Sequence, residues 1–256
     1  NLAMMHRRLV EATTAGAVLT VFPECTITGY CFESLEQARP VMQAEDGPFT
    51  ERVVEFCAEL NTHTVFGYLE SAGEAVFNSL AMAGPQGVVA RYRKVHLPHL
   101  GIDRFTTPGD RAFEVFDTAL CRIGLNICYD CAFPEAARSL ALLGGDLIVL
   151  STNWPPTSST TADVIPNARA LENHVYFMAV DRIGTENGFE FIGKSKICHP
   201  NGATLAFADH NREEIIYADI DPSVSRKKHL VNVPGVHEAH RVEDRVPTKY
   251  GALTKP

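Results

Sequence analysis

The sequence predicts a single α/β domain in which two packed sheets carry helices on their outer faces. Three observations support this fold class. Short apolar runs rich in β-branched residues alternate with helical patterns in both halves of the chain. Each half also contains strands joined by turn sequences that are typical of hairpins. No Gly-rich nucleotide-binding loop follows a predicted strand, so the sequence does not indicate a Rossmann unit.

The first half of the chain predicts two helices and four strands. Apolar side chains fall on one helical face in residues 2–15 and in residues 48–61. The run AVLTVF at 17–22 is a short β-branched segment of the kind that forms a buried strand. The other predicted strands are 63–69, 75–83 and 87–93, and the turn Gly84-Pro85-Gln86-Gly87 joins the last two.

The second half predicts two more helices and a second series of strands. One helix begins at Pro134 and ends at Gly144-Gly145, with proline at its first position and glycine at its C-cap. The other helix covers residues 162–174. The predicted strands are 122–128, 146–152, 175–180, 189–198, 203–208 and 214–220, of which the last completes the second sheet.

The two ends of the chain carry separate expectations. Residues 234–256 lack apolar periodicity, which predicts an extended tail rather than a core element. One hypothesis is that this tail lies across a partner subunit in a homodimer or larger homo-oligomer. The sequence opens directly on a helical pattern, whereas an α/β domain commonly begins with a strand. We therefore expect the single domain of residues 1–256 to lack a short N-terminal strand.

Composition argues against several classes of partner and compartment. Lysine and arginine total 23 against 31 acidic residues, and the net charge of −8 includes no basic stripe that would bind nucleic acid. No apolar run approaches the roughly 20 residues that cross a bilayer, and no secretory leader is evident. The seven cysteines are an odd number in a large chain, which favours reduced thiols. We expect a soluble, cytoplasmic protein that does not bind membranes.

Three separated segments each place one reactive side chain just past an apolar run. These side chains are Glu24 in VLTVFPECTITGY, Lys94 in VVARYRKVHLP and Cys128 in RIGLNICYDCAFPE. A thiol attacks a carbonyl carbon well only as a thiolate, so it needs a proton acceptor and a cation for the negative charge that develops. One acid, one ammonium and one thiol meet that need. Burial in apolar surroundings should raise the pKa of Glu24 toward the range of a useful base.

The same segments resemble those of the nitrilase, or carbon–nitrogen hydrolase, superfamily, in its amidase and carbamoyl-hydrolase branch. TPGD at 107–110, STNWP at 151–155, NARALENHVYFMA at 167–179 and IGKSKICHPNG at 192–202 extend the resemblance over essentially the whole chain. The resemblance implies a four-layer αββα sandwich. It also implies that Cys128 attacks the substrate, that Glu24 takes the thiol proton, and that Lys94 stabilises the tetrahedral intermediate, with no metal or organic cofactor.

Other residues are candidates for supporting roles. Asp103 stands where many relatives have a second glutamate, and its side chain is one methylene shorter. The backbone N–H of Tyr129 could be a second oxyanion donor. Asp130 and Glu135 could support the site, although Glu135 is equally a first-turn acid favoured by the helix dipole. Asn153 and Trp154 follow a strand and are candidates for the substrate pocket, with a packed loop tryptophan as the alternative.

The leading functional interpretation is a hydrolase that cleaves a linear amide through a cysteine thioester and releases ammonia or an amine. The residues Cys128-Tyr129-Asp130 differ from the Cys-Trp-Glu of typical nitrilases, which favours amides over nitriles. N-carbamoyl amines or amino acids are the closest alternative substrates. A different class is a non-catalytic binding module on the same fold, which only the departure at Asp103 supports. Cys128 and Cys131 also form a Cys-x-x-Cys pair, a weak indication of redox or zinc chemistry.

Overall fold

Two β-sheets, each covered on its outer face by helices, form the framework of the computed structural model, which describes residues 1–208 and 212–255. The described helices are α1 (Leu2–Thr14), α2 (Leu35–Ala38), α3 (Pro48–Leu60), α4 (Pro134–Leu142), α5 (Ser159–Asn173) and α6 (Pro222–Arg226). None of the helices in these residues is both long and apolar enough to cross a membrane.

The first half of the chain forms a four-stranded sheet in the order β1-β2-β3-β4. Strands β1 and β2 are parallel, and the other neighbours are antiparallel. The predicted turn at 84–87 joins β3 to β4, with Gly84 paired to Gly87. The strands of this half are β1 (Leu19–Val21), β2 (His63–Ala72), β3 (Ala75–Gly84) and β4 (Gly87–Arg93).

The second half forms a six-stranded sheet in the order β12-β11-β8-β7-β6-β5. Strands β6, β7 and β8 are parallel, and the outer neighbours are antiparallel. Two separate hairpins pair β9 with β10 and β13 with β14. The strands are β5 (Val115–Asp117), β6 (Arg122–Ile127), β7 (Leu147–Thr152), β8 (Tyr176–Asp181), β9 (Ile183–Glu186), β10 (Phe189–Ile192), β11 (Lys196–Cys198), β12 (Thr204–Phe207), β13 (His229–Val233) and β14 (His237–His240).

The two sheets pack face to face, so alternate side chains along a strand point to the core between the sheets and to the helices outside. On β3, Leu80 and Met82 join the core between the sheets, whereas Ala81 and Ala83 face α1 and α3 on the other side. Strand β7 is buried on both faces because α4 and α5 cover the outer face of the second sheet. The predicted four-layer αββα sandwich is therefore confirmed.

Two predicted strands are wrong. Residues 189–198 do not form one strand, because Gly193 and Lys194 both adopt positive φ (69° and 61°) and separate β10 from β11. Residues 214–220 form no strand, and β12 is the edge of the sheet. Ile220 of this segment still packs against the core, whereas Tyr217 is 45% exposed. The short strands β5 and β9 were not predicted.

Residues 234–255 do not form a continuous extended segment. His237–His240 are strand β14, which pairs with β13 to form a hairpin, and two short 3-10 turns follow it. Most side chains in this region are exposed, among them Val236 at 83% and Leu253 at 63%. Their place in a homo-oligomer stays a prediction.

Candidate active site

Glu24 lies in a turn just beyond β1, where the two sheets meet. Side chains at the end of β7 hold this turn in place: the Ser151 hydroxyl donates to the Phe22 carbonyl at 2.8 Å, and the Asn153 amide donates to the Glu24 carbonyl at 3.0 Å. The turn also passes very close to β2, because a Cβ on Gly67 would be 2.3 Å from the Cys25 backbone nitrogen. Only glycine fits at position 67, and the Glu24 side chain is fully buried.

Lys94 follows β4 and is also fully buried. Its backbone is tied on both sides, since its N–H donates to the Asn78 carbonyl at 2.9 Å and its carbonyl accepts from Gly109 N–H at 2.8 Å. Its ammonium donates to Glu24 Oε1 at 2.7 Å and to Asp103 Oδ2 at 2.6 Å. One buried ammonium therefore serves two buried carboxyl groups.

Asp103 reaches this cluster despite its short side chain. The Tyr30 hydroxyl donates to Asp103 Oδ2 at 2.8 Å, and the Asn78 amide donates to Asp103 Oδ1 at 2.9 Å and to Glu24 Oε1 at 2.7 Å. The loop that carries Asp103 lies tightly against Tyr30, because a Cβ on Gly101 would be 2.3 Å from the tyrosine ring. This close approach of the loop compensates for the missing methylene.

Cys128 begins a 3-10 turn directly after β6. Its φ of 41° is in the left-handed region, which non-glycine residues rarely adopt outside functional or tightly constrained turns. The thiol is buried, and its pKa is set by groups from both halves of the chain. Burial and the Glu24 carboxylate raise the pKa of Cys128 well above its ordinary value, while Lys94, the Thr152 hydroxyl and the Asn153 backbone N–H lower it. The structure thus brings Cys128 together with Glu24 and Lys94.

Asp130 connects the cysteine turn to the lysine segment. Its fully buried carboxylate accepts hydrogen bonds from the Ile127 backbone N–H at 2.9 Å and from the Tyr92 hydroxyl at 2.7 Å. It also accepts from the His96 backbone N–H at 3.1 Å and lies 2.7 Å from His96 Nδ1. The His96 ring stacks on Phe133 with centroids 3.8 Å apart. Asp130 therefore bridges the elements that carry Cys128 and Lys94.

Burial and the neighbouring charges together shift the pKa of the Glu24 carboxyl group. Burial raises its pKa from 4.5 to about 7, although Lys94 opposes this shift, and the nearby Asp103 adds to it. Its Oε1 accepts two hydrogen bonds, whereas its buried Oε2 has no partner among the described residues. Burial acts against the charge of Lys94, but Asp103 and Glu24 outweigh it and raise the lysine pKa well above its ordinary value. Glu24 can therefore gain or lose a proton near neutral pH beside a permanently charged lysine.

A cavity of about 570 Å³ opens beside Cys128. Trp154 lines it, as predicted for a pocket residue, and the Trp154 backbone N–H donates to the buried Asp181 at 2.7 Å. Asn153 instead holds the Glu24 turn from behind and does not line this cavity. The other lining residues are Pro98, Leu100, Tyr129, Cys131, Ala132, Pro155, Pro156, Thr157, Ser158, Thr161, Gly188, Phe189 and Glu190.

Two remaining candidates differ in their placement. Tyr129 follows Cys128 in the 3-10 turn, its side chain is 41% exposed, and it lines the cavity. Glu135 is exposed in the first turn of α4, which agrees with the helix-dipole interpretation. All seven cysteines are free, and no group of three His, Cys, Asp or Glu side chains in residues 1–208 and 212–255 is arranged to hold a metal ion.

Comparison with known proteins identifies the family. Residues 1–229 match the model of the carbon-nitrogen hydrolase family. The chain belongs to the carbon–nitrogen hydrolase family. It is 36% identical over 244 residues to the nitrilase of Pyrococcus abyssi, which covers 95% of this chain and 92% of that protein. It is 31% identical over 225 residues to the omega-amidase NIT2 of Homo sapiens, which covers 82% and 79%.

A solved structure shows the same architecture. Nit3 of Saccharomyces cerevisiae, a member of branch 10 of the nitrilase superfamily, matches with a TM-score of 0.79 at 25% identity. The match covers 89% of this chain and 86% of Nit3. This carbon–nitrogen hydrolase is therefore an enzyme of the amidase type on the nitrilase-superfamily fold.

Sequence reasoning missed two residues of the site in this carbon–nitrogen hydrolase. Asn78 contacts both carboxyl groups, and the signal for it is a polar pair, Asn78-Ser79, within the otherwise apolar strand AVFNSLAMA. Tyr30 is the last residue of the Glu24 segment VLTVFPECTITGY, and its hydroxyl donates to Asp103. A polar residue at an inward position of a buried strand needs a partner, so Asn78 could have been found by asking what it hydrogen-bonds.

We predict that Asp130→Asn weakens both the fold and the enzyme. An asparagine presents one acceptor oxygen and one donor NH₂ to groups that all donate to Asp130, so at least one buried donor loses its partner. The expected cost is about 1–3 kcal/mol of unfolding free energy, measured by urea denaturation. Glu135→Gln is the matched control, since it removes an exposed carboxylate five residues away. Equal stability of the two variants would contradict the bridging role of Asp130.

Proposed function

We propose that this carbon–nitrogen hydrolase cleaves linear amides through a thioester on Cys128, with Glu24 as the general base and Lys94 as the stabilising cation. One observation carries the proposal: the Lys94 ammonium contacts Glu24 at 2.7 Å in a fully buried cluster whose charges also act on the Cys128 thiol. A base, a cation and a thiol are therefore held together out of water, where charge interactions are strongest.

The first half of the reaction uses the free proton-accepting oxygen of Glu24. The Cys128 sulfur attacks the amide carbon while its proton passes to Glu24, which forms a tetrahedral intermediate with a negatively charged oxygen. The Lys94 ammonium and the backbone N–H of Tyr129 stabilise that oxygen. Glu24 then returns the proton to the leaving nitrogen, the C–N bond breaks, and ammonia or an amine departs. The product on the enzyme is an acyl thioester.

In the second half of the reaction, water replaces the thiol as the nucleophile. Glu24 takes a proton from a water molecule as its oxygen attacks the thioester carbon. The intermediate collapses, the C–S bond breaks, and the Cys128 sulfur recovers the proton from Glu24 as the carboxylic acid leaves. The pKa of Glu24 of about 7 suits a group that both accepts and donates a proton in one cycle.

Hydrogen bonds within the buried cluster support the roles that we propose for Lys94 and Asp103. Asp103 keeps the ammonium in place by a 2.6 Å hydrogen bond, and Tyr30 and Asn78 hold Asp103 in turn. The departure at Asp103 was the only sequence feature that favoured a non-catalytic module. Because the shorter Asp103 side chain still reaches Lys94, this departure does not argue against catalysis. N-carbamoyl amines stay the closest alternative substrates, since attack on their carbonyl would use the same groups.

The proposal predicts which compounds release ammonia and how the rate depends on pH. A panel of aliphatic amides, omega-amides, N-carbamoyl compounds and nitriles is incubated with the enzyme, and ammonia is measured. Amides should be hydrolysed, with kcat/KM rising as pH increases through about 7, because Glu24 must be ionised to take the thiol proton.

Glu24→Gln tests the base directly. It should lower kcat/KM by about 10²–10⁴-fold, the range of general base catalysis, and remove the pH dependence near 7. Release from nitriles alone, or an unchanged pH profile in Glu24→Gln, would contradict the proposal. Preferential release from N-carbamoyl compounds would replace the amide assignment with the alternative.

A further inference from the structure

Among residues 1–208 and 212–255, those that line the cavity beside Cys128 include one acidic residue and no basic one. Apart from the two cysteines, the lining residues are apolar, glycine or hydroxyl-bearing, and the single charged residue is Glu190. Two cations lie near Glu190 in the sequence, and both are already paired: Lys194 with Asp163 at 2.7 Å, and Arg182 with Glu186. A substrate that enters this cavity therefore meets one acidic residue, and no basic residue, among the described residues of its walls.

The Lys94 ammonium in the interior of the site is also already paired. It donates to both Glu24 and Asp103. A carboxylate on the substrate would have to compete with these two groups. The paired ammonium in the interior and the acidic residue on the wall thus both disfavour a substrate that carries a carboxylate.

Glu190 is an exposed residue that lines the cavity. It lies on β10 between Phe189, which lines the cavity, and Phe191, which is fully buried and fixes the strand. Its cross-strand partner on β9 is the uncharged Thr185. Glu190 is exposed and has no ion pair or hydrogen bond to a side chain in residues 1–208 and 212–255. Its carboxylate is therefore available to a ligand.

The hairpin that carries Glu190 is held against the site. The Glu186 carboxylate accepts from the Tyr30 backbone N–H at 3.1 Å, and the Asn187 amide donates to the Cys31 carbonyl at 2.8 Å. Tyr30 in turn contacts Asp103. These hydrogen bonds fix the position of the β9–β10 hairpin, and with it the position of Glu190, relative to the buried cluster.

We propose that Glu190 is a specificity-determining residue that favours linear amides with an ammonium or guanidinium group at the far end of the acyl chain and disfavours those that end in a carboxylate. This inference rests on the proposed amide hydrolysis and names its substrate class. The apolar walls formed by Trp154, Pro155 and Phe189 accommodate the methylene chain, and the terminal cation lies at Glu190.

The expected size of the effect follows from the exposure of Glu190. A solvent-exposed ion pair changes an equilibrium by up to about fivefold, and like charges oppose each other by a similar factor. The kcat/KM for a cationic amide should therefore exceed that for an anionic amide of equal length by about tenfold. Because exposed charges are screened, the ratio should fall when the salt concentration is raised from 0.05 to about 0.5 M.

The test compares three amides of matched length: pentanamide, 5-aminopentanamide and the monoamide of glutaric acid. Shorter and longer members of each series locate the chain length at which the terminal group reaches Glu190. The readout is the ratio of kcat/KM values, cationic to anionic, at low salt. A purely structural effect of a substitution lowers all three rates together and leaves this ratio unchanged.

Three variants give the expected pattern. Glu190→Gln should bring the ratio down to between about 1 and 3, and Glu190→Lys should bring it below 1. Glu51→Gln, which removes an exposed carboxylate from α3 on the first sheet, should leave the ratio as in the wild type. The variants are compared at the same pH and salt concentration.

The outcomes separate this inference from the proposed function. Hydrolysis of pentanamide that requires Cys128, together with a ratio near 1 or a ratio unaffected by Glu190→Gln, overturns the role of Glu190 and leaves the proposed function in place. Failure of the folded enzyme to hydrolyse any amide in the three series contradicts the proposed function and this inference with it. A ratio well above 1 that Glu190→Lys reverses supports both.

Discussion

Cys128→Ala should abolish amide hydrolysis, with kcat reduced by at least about 10⁴-fold. In the proposed mechanism the substitution removes the atom that forms the thioester, so no covalent intermediate can form and the remaining groups can act only on water. Because Cys128 is buried and alanine is smaller, the fold should persist with a modest loss of stability. The measurement is ammonia release together with circular dichroism of the purified variant.

The thioester itself gives a second readout for the same prediction. Rapid acid quenching of the wild type during turnover should yield a protein whose mass is increased by the acyl group, and the Cys128→Ala variant should show no such increase. Cys131→Ala is the matched control, since Cys131 is buried at the same cavity and burial raises its pKa to about 12. We expect that control to keep at least about a tenth of the activity. Loss of activity in Cys131→Ala as complete as in Cys128→Ala would favour redox exchange between the two thiols over hydrolysis.

Lys94→Met should reduce both activity and stability. For activity, the loss of the cation that we propose stabilises the oxyanion is expected to lower kcat by about 10²–10³-fold. For stability, methionine has a similar length but leaves Glu24 and Asp103 buried without their ammonium partner. Breaking a buried ion pair from one side costs about 3–5 kcal/mol of unfolding free energy.

The stability loss of Lys94→Met should depend on pH with a definite sign. Burial raises the pKa of Glu24 from 4.5 to about 7 even with Lys94 present, and removal of the ammonium raises it further. A carboxyl whose pKa is higher in the folded state binds its proton more tightly there. Its contribution to stability is therefore complete below about pH 4.5 and is lost as pH rises through 7. The variant should be closest to the wild type at pH 5 and furthest from it at pH 8.

Urea denaturation at pH 5 and pH 8 measures this difference. Lys194→Met is the control, because Lys194 pairs with the half-exposed Asp163 and its loss should cost at most about 1 kcal/mol at either pH. A pH-independent stability loss in Lys94→Met would show that Glu24 does not carry a buried charge in the folded protein.

The sequence predicted the framework well because most elements have local causes. Apolar periodicity located α1, α3 and the strands of the first sheet, and glycine and proline marked the hairpin at 84–87 and the start of α4. The errors have a different origin. Residues 189–198 look like one strand by composition, but positive φ at Gly193 and Lys194 divides them. Residues 214–220 contain strand-forming residues but do not pair with the edge strand β12.

The segments that carry Glu24, Lys94 and Cys128 could be located for the same local reason, since each of these residues follows a strand. Their partners could not. Asn78, Tyr30 and Asp103 come from three distant segments, and His96 joins Asp130 across 34 residues. Such pairings depend on how strands align across two sheets, which no local pattern encodes.

By itself, the sequence determined the α/β class, the family resemblance and the choice of Glu24, Lys94 and Cys128 as the catalytic candidates. The tertiary structure alone decided that Asp103 is long enough, because the contact of Gly101 with Tyr30 brings its loop to within 2.6 Å of the Lys94 ammonium. It also decided that Glu135 lies on the surface while Asp130 bridges two segments of the site. Side-chain identity sets the chemistry that a residue can perform, but burial and distance, which only folding creates, set its pKa and its partners.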